Sequence, residues 1–126
     1  MNALLYIGSI IIILWGIAHL VPTRGVVKGF GAISEDNRRI ITMEWLAEGL
    51  TLIFIGILVL IVTSQASDGN AAARWVVMAS AAMLLVMAVL TQMTGARTSV
   101  VAIKICPWVK TMVAILFFVF ILGSSG

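Results

Sequence analysis

Charged residues are scarce in this sequence. Of its 126 residues only 10% are Asp, Glu, Lys or Arg, 62% are hydrophobic, and the mean hydropathy is +1.18. A soluble domain carries about 25% charged residues. A chain with so few charges cannot cover itself with a polar surface, which excludes a soluble globular domain and indicates that most of its surface faces lipid.

Cysteine and histidine each occur once, as Cys106 and His19. One cysteine excludes an intramolecular disulfide and a multi-cysteine metal cage. The sequence also has no Ser-His-Asp set, no H-E-x-x-H motif and no phosphate-binding loop. We therefore predict no cofactor and favour a role other than catalysis. One enzymatic alternative stays open, in which Glu48 acts as a general base on a lipid with His19 as its partner.

Four long apolar runs dominate what is present. A hydrocarbon core of about 30 Å needs roughly 20 mainly apolar residues per helix, and strand-like alternation is absent. We predict an all-α integral membrane protein with a single domain, residues 1–126, and four transmembrane helices. The first is expected to be a membrane span and not a signal peptide, because no basic residues precede it. The predicted helices cover about 3–21, 35–63, 74–94 and 102–123.

Basic residues are unevenly distributed between the two predicted ends of the helices. Positive charge is retained on the cytoplasmic side of membrane proteins, so the distribution predicts an N-out/C-out, multi-pass protein of the bacterial inner membrane. The same basic rim accounts for the pI near 9.6 without nucleic-acid binding. The basic residues on the predicted cytoplasmic side are Arg24, Lys28, Arg38, Arg39, Arg97 and Lys104, against Arg74 on the other.

The connections predict the order of packing. Short second and third loops make consecutive helices antiparallel neighbours, as in an up-down four-helix bundle. The first connection is longer, and its Pro22 and three glycines are expected to break helical continuity. Ser34 before Glu35 and Asp36 is typical of an N-cap with acids in the first turn, so it predicts the start of the second membrane helix. Pro107 is expected in the first turn of the last helix.

Polar side chains within the apolar runs cluster in the predicted cytoplasmic half. Glu44, Glu48 and Thr51 are spaced by four and three residues and share one helix face. Glu48 lies at a depth comparable to that of Lys110, so we predict that it faces the bundle interior, with Lys110, His19 or a water as partner. The predicted pocket has Glu44 at its mouth and Glu48 at its floor. Its predicted ligand-binding residues are His19, Glu44, Glu48, Thr51, Gln92, Trp108 and Lys110.

Three interpretations of this pocket stay open. It can be a structural cluster that holds the helices in register within a non-catalytic accessory subunit. It can instead bind or transport a small cationic or polar ligand with proton coupling, since acids inside a membrane are functional candidates. A divalent-metal site at His19, Glu44 and Glu48 is the third, and its lone histidine leads us to predict no bound metal. The expected partners are the bilayer, such a ligand, and a second copy or a larger membrane complex.

Gly16-Ile17-Ala18-His19-Leu20 close the first helix and are followed by a glycine-bearing loop. In these features and in its four-helix plan the chain resembles the DoxX-like group of small bacterial membrane proteins. That resemblance implies an inner-membrane protein, in some members an accessory to membrane redox complexes, with no general catalytic residues to carry over. The small multidrug-resistance transporters share the length and the plan, but their motif needs an acid in the middle of the first helix, which this chain lacks.

Overall fold

The structure is a computed structural model that describes residues 3–67 and 70–123, and these residues form helices and connections without a strand. Four of the helices are long and apolar enough to cross a membrane, as predicted for a helical membrane bundle. The elements are α1 (Ala3–Leu20), α2 (Thr23–Gly29), α3 (Glu35–Gln65), α4 (Ala71–Met93), a 3₁₀ turn (Gly95–Arg97) and α5 (Val101–Gly123).

The start of α3 is the one that the sequence predicts. Ser34 is the N-cap, and its hydroxyl accepts a hydrogen bond from the Asn37 amide at 3.2 Å. Asn70 caps α4 in the same way by accepting from the Ala73 amide at 3.0 Å. These side chains satisfy amide groups that have no partner inside the helix.

Two expectations about helix continuity were wrong. Residues 23–29 form the short helix α2, since a glycine inside one or two turns costs only about 1 kcal/mol. The chain leaves that segment only at Gly31, whose φ of 72° suits glycine. Pro107 lies beyond the first turn, because α5 already begins at Val101. Proline in that position leaves the carbonyl of Ile103 without its helical amide partner.

Glycines bring α1 and α3 together as antiparallel neighbours. A Cβ on Gly16 would lie 2.8 Å from the Gly49 carbonyl oxygen, and one on Gly56 would lie 2.8 Å from the Ser9 carbonyl oxygen. Backbones that approach so closely leave no room for a side chain at either position. Small residues at such crossings allow the van der Waals packing that associates apolar helices in a membrane.

The four long helices are unequally packed. The α1–α3 and α4–α5 pairs make the largest contacts, α1 also packs on α5, and α3 and α4 meet only sparsely. The expected antiparallel neighbours therefore exist for the first and last pairs, whereas the middle pair is held mainly through α1 and α5. Fully buried apolar side chains fill the centre, among them Ile12, Leu52, Leu84, Val113 and Phe117.

A groove of about 300 Å³ runs between α3 and α4, two helices that make few contacts with each other. We call it the α3–α4 groove. Its α3 wall consists of Thr51, Phe54, Ile55 and Leu58, and its α4 wall of Val76, Ala79, Ser80 and Met83.

The close α1–α3 crossing predicts different results for two glycine-to-alanine changes. Gly16→Ala should lower the free energy of unfolding by about 1–3 kcal/mol, because its new methyl group would overlap backbone atoms of α3. Gly25→Ala in α2 is the matched control, since no heavy atom lies within 4 Å of its Cβ position. Thermal unfolding in detergent measures both. Equal melting temperatures for the two variants would contradict the close backbone contact between α1 and α3 at Gly16.

Candidate functional site

Lys110 is completely buried, with 0% of its side chain exposed. Its ammonium group donates hydrogen bonds to Glu48 Oε1 of α3 and, at 2.8 Å, to the Thr91 hydroxyl of α4. A buried charge is tolerated only when it is paired and hydrogen-bonded. One side chain of α5 thus links α3 and α4, two helices that make few contacts with each other.

The order of the helices explains why these three residues meet. Antiparallel packing puts the end of α4 beside the first half of α5, and α3 runs parallel to α5. Glu48, Thr91 and Lys110 therefore lie at one level near the same end of the bundle. The Thr91 hydroxyl donates its proton to the Met87 carbonyl at 2.8 Å, which leaves its lone pairs free to accept from Lys110.

His19 supplies the α1 side of the cluster. Its ring stacks on Trp45 at 4.0 Å between centroids, and the Trp45 indole N–H donates to the His19 carbonyl at 2.9 Å. Only 8% of the His19 side chain is exposed, and its Nε2 lies 3.8 Å from Glu48 Oε2. That separation is too long for a hydrogen bond, and within the described residues Nε2 has no hydrogen-bond partner.

Cys106 completes the group that surrounds the Glu48 carboxylate. Its sulfur accepts a hydrogen bond from the Trp15 indole at 3.3 Å and lies 4.0 Å from Glu48 Oε1, to which its thiol donates. We call His19, Glu48, Thr91, Cys106 and Lys110 together the Glu48 cluster.

The two oxygens of Glu48 differ in their surroundings. Oε1 accepts from Lys110 and Cys106, whereas the closest partner of Oε2 among the described residues is His19, beyond hydrogen-bond range. A carboxylate offers about four acceptor positions. The Glu48 side chain is also 31% exposed, so Oε2 combines unused acceptor capacity with a route to the outside of the bundle.

The structure brings together three of the seven predicted ligand-binding residues: His19, Glu48 and Lys110. The predicted orientation of Glu48 towards Lys110 and His19 is confirmed. Thr51 instead lines the α3–α4 groove, and its hydroxyl donates to the Ala47 carbonyl at 2.7 Å. Whether any of these residues binds a ligand stays a prediction.

Three predicted members of the pocket lie elsewhere. Glu44 is exposed because the next residue, Trp45, occupies the face of α3 that covers the end of α1. Gln92 is exposed because its neighbour Thr91 turns inward. Trp108 is 72% exposed, since the inward face of α5 is taken by Cys106, Pro107 and Lys110. The assignment of Glu44 to the mouth of a ligand pocket stays a prediction.

Thr91, Trp15, Trp45 and Cys106 were missing from the predicted set. The sequence shows polar residues at the end of α4, but it does not say which of Thr91 and Gln92 faces inward. The third interpretation, a metal site, receives no support from the geometry. Among the described residues, no group of three His, Cys, Asp or Glu side chains is placed to hold a metal ion.

The paired burial of Glu48 and Lys110 predicts a strongly non-additive double-mutant cycle. Lys110→Met leaves an unpaired carboxylate and Glu48→Gln an unpaired buried ammonium, and each should cost about 3 kcal/mol of unfolding free energy. The double variant leaves no lone charge, so its loss should be smaller than the sum. Thermal unfolding in one detergent measures the cycle, with Glu44→Gln as an exposed control. Additive losses would show that the pair contributes nothing as a pair.

No protein-family model, curated protein or solved structure matches this chain. The DoxX-like resemblance therefore stays an expectation from the helix plan and residues 16–20. Function has to be argued from the chemistry of the Glu48 cluster and its surroundings.

Proposed function

We propose that this chain is a multi-pass protein of the bacterial inner membrane whose Glu48 cluster binds a small cationic or polar ligand in exchange for a proton. The observation that supports this most directly is the Glu48 carboxylate. One of its oxygens is held by Lys110, and the other lies beside the buried His19 Nε2, which has no hydrogen-bond partner among the described residues. The Glu48 side chain that carries both oxygens is 31% exposed.

A cationic or hydrogen-bond-donating ligand fits this environment. Oε2 offers acceptor positions, and the stacked rings of His19 and Trp45 form one wall beside it. Hydrogen bonds to a charged acceptor are roughly twice as strong as those between neutral groups. A donor on the ligand would therefore gain most of its binding free energy from this one oxygen.

Proton coupling follows from the charge balance. Glu48 and Lys110 are together neutral, so a bound cation would add one positive charge to an apolar interior. That addition is costly in a low dielectric. It becomes favourable when the cluster releases a proton at the same time. Cation binding should accordingly strengthen as the pH rises.

The orientation belongs to the same proposal. Six basic residues lie at the end of the bundle nearest the Glu48 cluster, in α2, in the first turns of α3 and α5 and in the 3₁₀ turn, whereas the opposite end carries Arg74. By the positive-inside rule the cluster faces the cytoplasm and both termini lie outside. A ligand would then reach Glu48 from the cytoplasmic side or through the cytoplasmic leaflet.

One observation favours the alternative of a non-catalytic accessory subunit. Lys110 bonds to α3 and α4 at once, and these two helices make few other contacts with each other. A side chain with that role can serve only to hold α3 and α4 together, and we call this structural role the clamp. The two proposals differ in what Glu48 Oε2 does, since a clamp needs only Oε1.

Binding of small amines tests the ligand proposal. Ethylamine and guanidinium should raise the melting temperature of the wild type and of Glu44→Gln, and the rise should grow with pH because a proton is released. Native mass spectrometry of protein released from mild detergent checks for a bound small molecule in the same samples.

The Glu48→Gln/Lys110→Met double variant serves as the negative control, because it lacks the carboxylate and leaves no lone charge. It should show no rise in melting temperature with either amine. If amines have no effect on the wild type, or the same effect on the double variant, the clamp is the correct interpretation.

Topology is tested separately with C-terminal reporters. Alkaline phosphatase fused after residue 126 should be active and green fluorescent protein dark, since the first matures outside the inner membrane and the second inside the cell. The reverse pattern would place the Glu48 cluster at the outer face and would contradict the orientation.

A further inference from the structure

The α3 wall of the α3–α4 groove leads directly to Glu48. Thr51, Ile55 and Leu58 line the groove at spacings of four and three, which keeps them on one stripe of the helix. Glu48 precedes Thr51 by three residues and therefore lies on the same stripe. Its Cα is only about 4.5 Å further along the helix axis.

The α4 wall leads to the same place. Val76, Ser80 and Met83 line the groove along one stripe, and steps of four residues continue it through Met87 to Thr91. Thr91 and Glu48 are the two residues that bind the Lys110 ammonium. Glu48 and Thr91 thus lie next along the same two helix stripes that line the groove.

The groove and the Glu48 cluster have opposite chemistry. The groove exposes only apolar surface from its lining residues. Exposed side chains such as Phe54 and Met83 flank it on the outside of the bundle. Beyond its inner end lies the partly exposed carboxylate of Glu48, whose Oε1 is bonded to the buried ammonium of Lys110. A molecule that matches both has a hydrocarbon chain and a small cationic head.

We propose that the ligand is a single-chain amphiphilic amine whose head binds Glu48 Oε2 and whose chain lies in the α3–α4 groove. This rests on the proposed function, and it specifies the class of ligand. The groove of about 300 Å³ is at the lower end of small-molecule sites, which suits one chain. Access is sideways from the bilayer, because the groove opens on the outer surface of the helices.

The physics of the bilayer assigns different roles to head and chain. A chain that moves from lipid into an apolar groove gains little hydrophobic free energy, since both surroundings are equally apolar. Affinity therefore comes from the head at Glu48, and the groove selects ligands by shape.

A photoreactive alkylamine tests this arrangement. The probe is dodecylamine with a diazirine on its chain, added to the protein in phosphatidylcholine nanodiscs, and mass spectrometry maps the labelled peptides. Labelling should concentrate on the groove-lining residues of α3 and α4 and should be competed by ethylamine. Ala79→Phe, which fills the groove, should reduce labelling of these residues about tenfold, which corresponds to a steric penalty of about 1.4 kcal/mol for placing the chain there.

Ala82→Phe is the matched control, because Ala82 is equally an exposed alanine of α4 but lies outside the groove. It should keep the wild-type labelling, and both phenylalanine variants should keep the response to ethylamine, which needs no groove. If ethylamine binds but the probe labels all helices evenly, or if Ala79→Phe does not change the labelling, the proposal of an amphiphilic ligand is wrong. The Glu48 site for a small amine would remain supported. If the wild type binds neither ethylamine nor the probe, the proposed function is wrong as well.

Discussion

The buried ammonium of Lys110 is the constraint on which the rest of the bundle depends. An isolated charge of this kind costs about 2.5–3.5 kcal/mol at the centre of a membrane helix, so α5 is stable in an apolar bundle only where Glu48 and Thr91 can reach it. Meeting both partners fixes the level of α3 and α4 relative to α5. The glycine crossing of α1 and α3 then determines how closely α3 can approach α1. The α3–α4 groove is the space left when both conditions hold.

Features governed by local chemistry could be predicted from the sequence. Hydropathy over some 20 residues identifies the membrane helices, and the Ser34 cap marks where α3 begins. Depth was enough to name Lys110 as a candidate partner of Glu48, beside His19 and a water, because few other groups in the apolar interior can neutralise the carboxylate. The short helix α2 was not predicted, since glycines in a loop and glycines in a short helix give the same sequence pattern.

The rotation of each helix about its axis was beyond the sequence. A helix that is apolar nearly all round has no polar face to indicate which side is buried. Three pairs of residues that are close in the chain each have one member that points inward and one that points outward. They are Glu44 and Trp45, Thr91 and Gln92, and Cys106 and Trp108. Contacts such as the Trp45 stack on His19 and the Trp15 bond to Cys106 decide between them, and those contacts join residues far apart in the chain.

The position of Lys110 in the last helix has a consequence for biosynthesis. Glu48 emerges from the ribosome 62 residues before Lys110, so α3 is synthesised while its counter-charge is still unmade. α5 in turn arrives with a lysine that only α3 and α4 can neutralise. The last helix is therefore the one whose arrival completes the Glu48 cluster, and until then α3 and α4 lack the side chain that bonds to both of them.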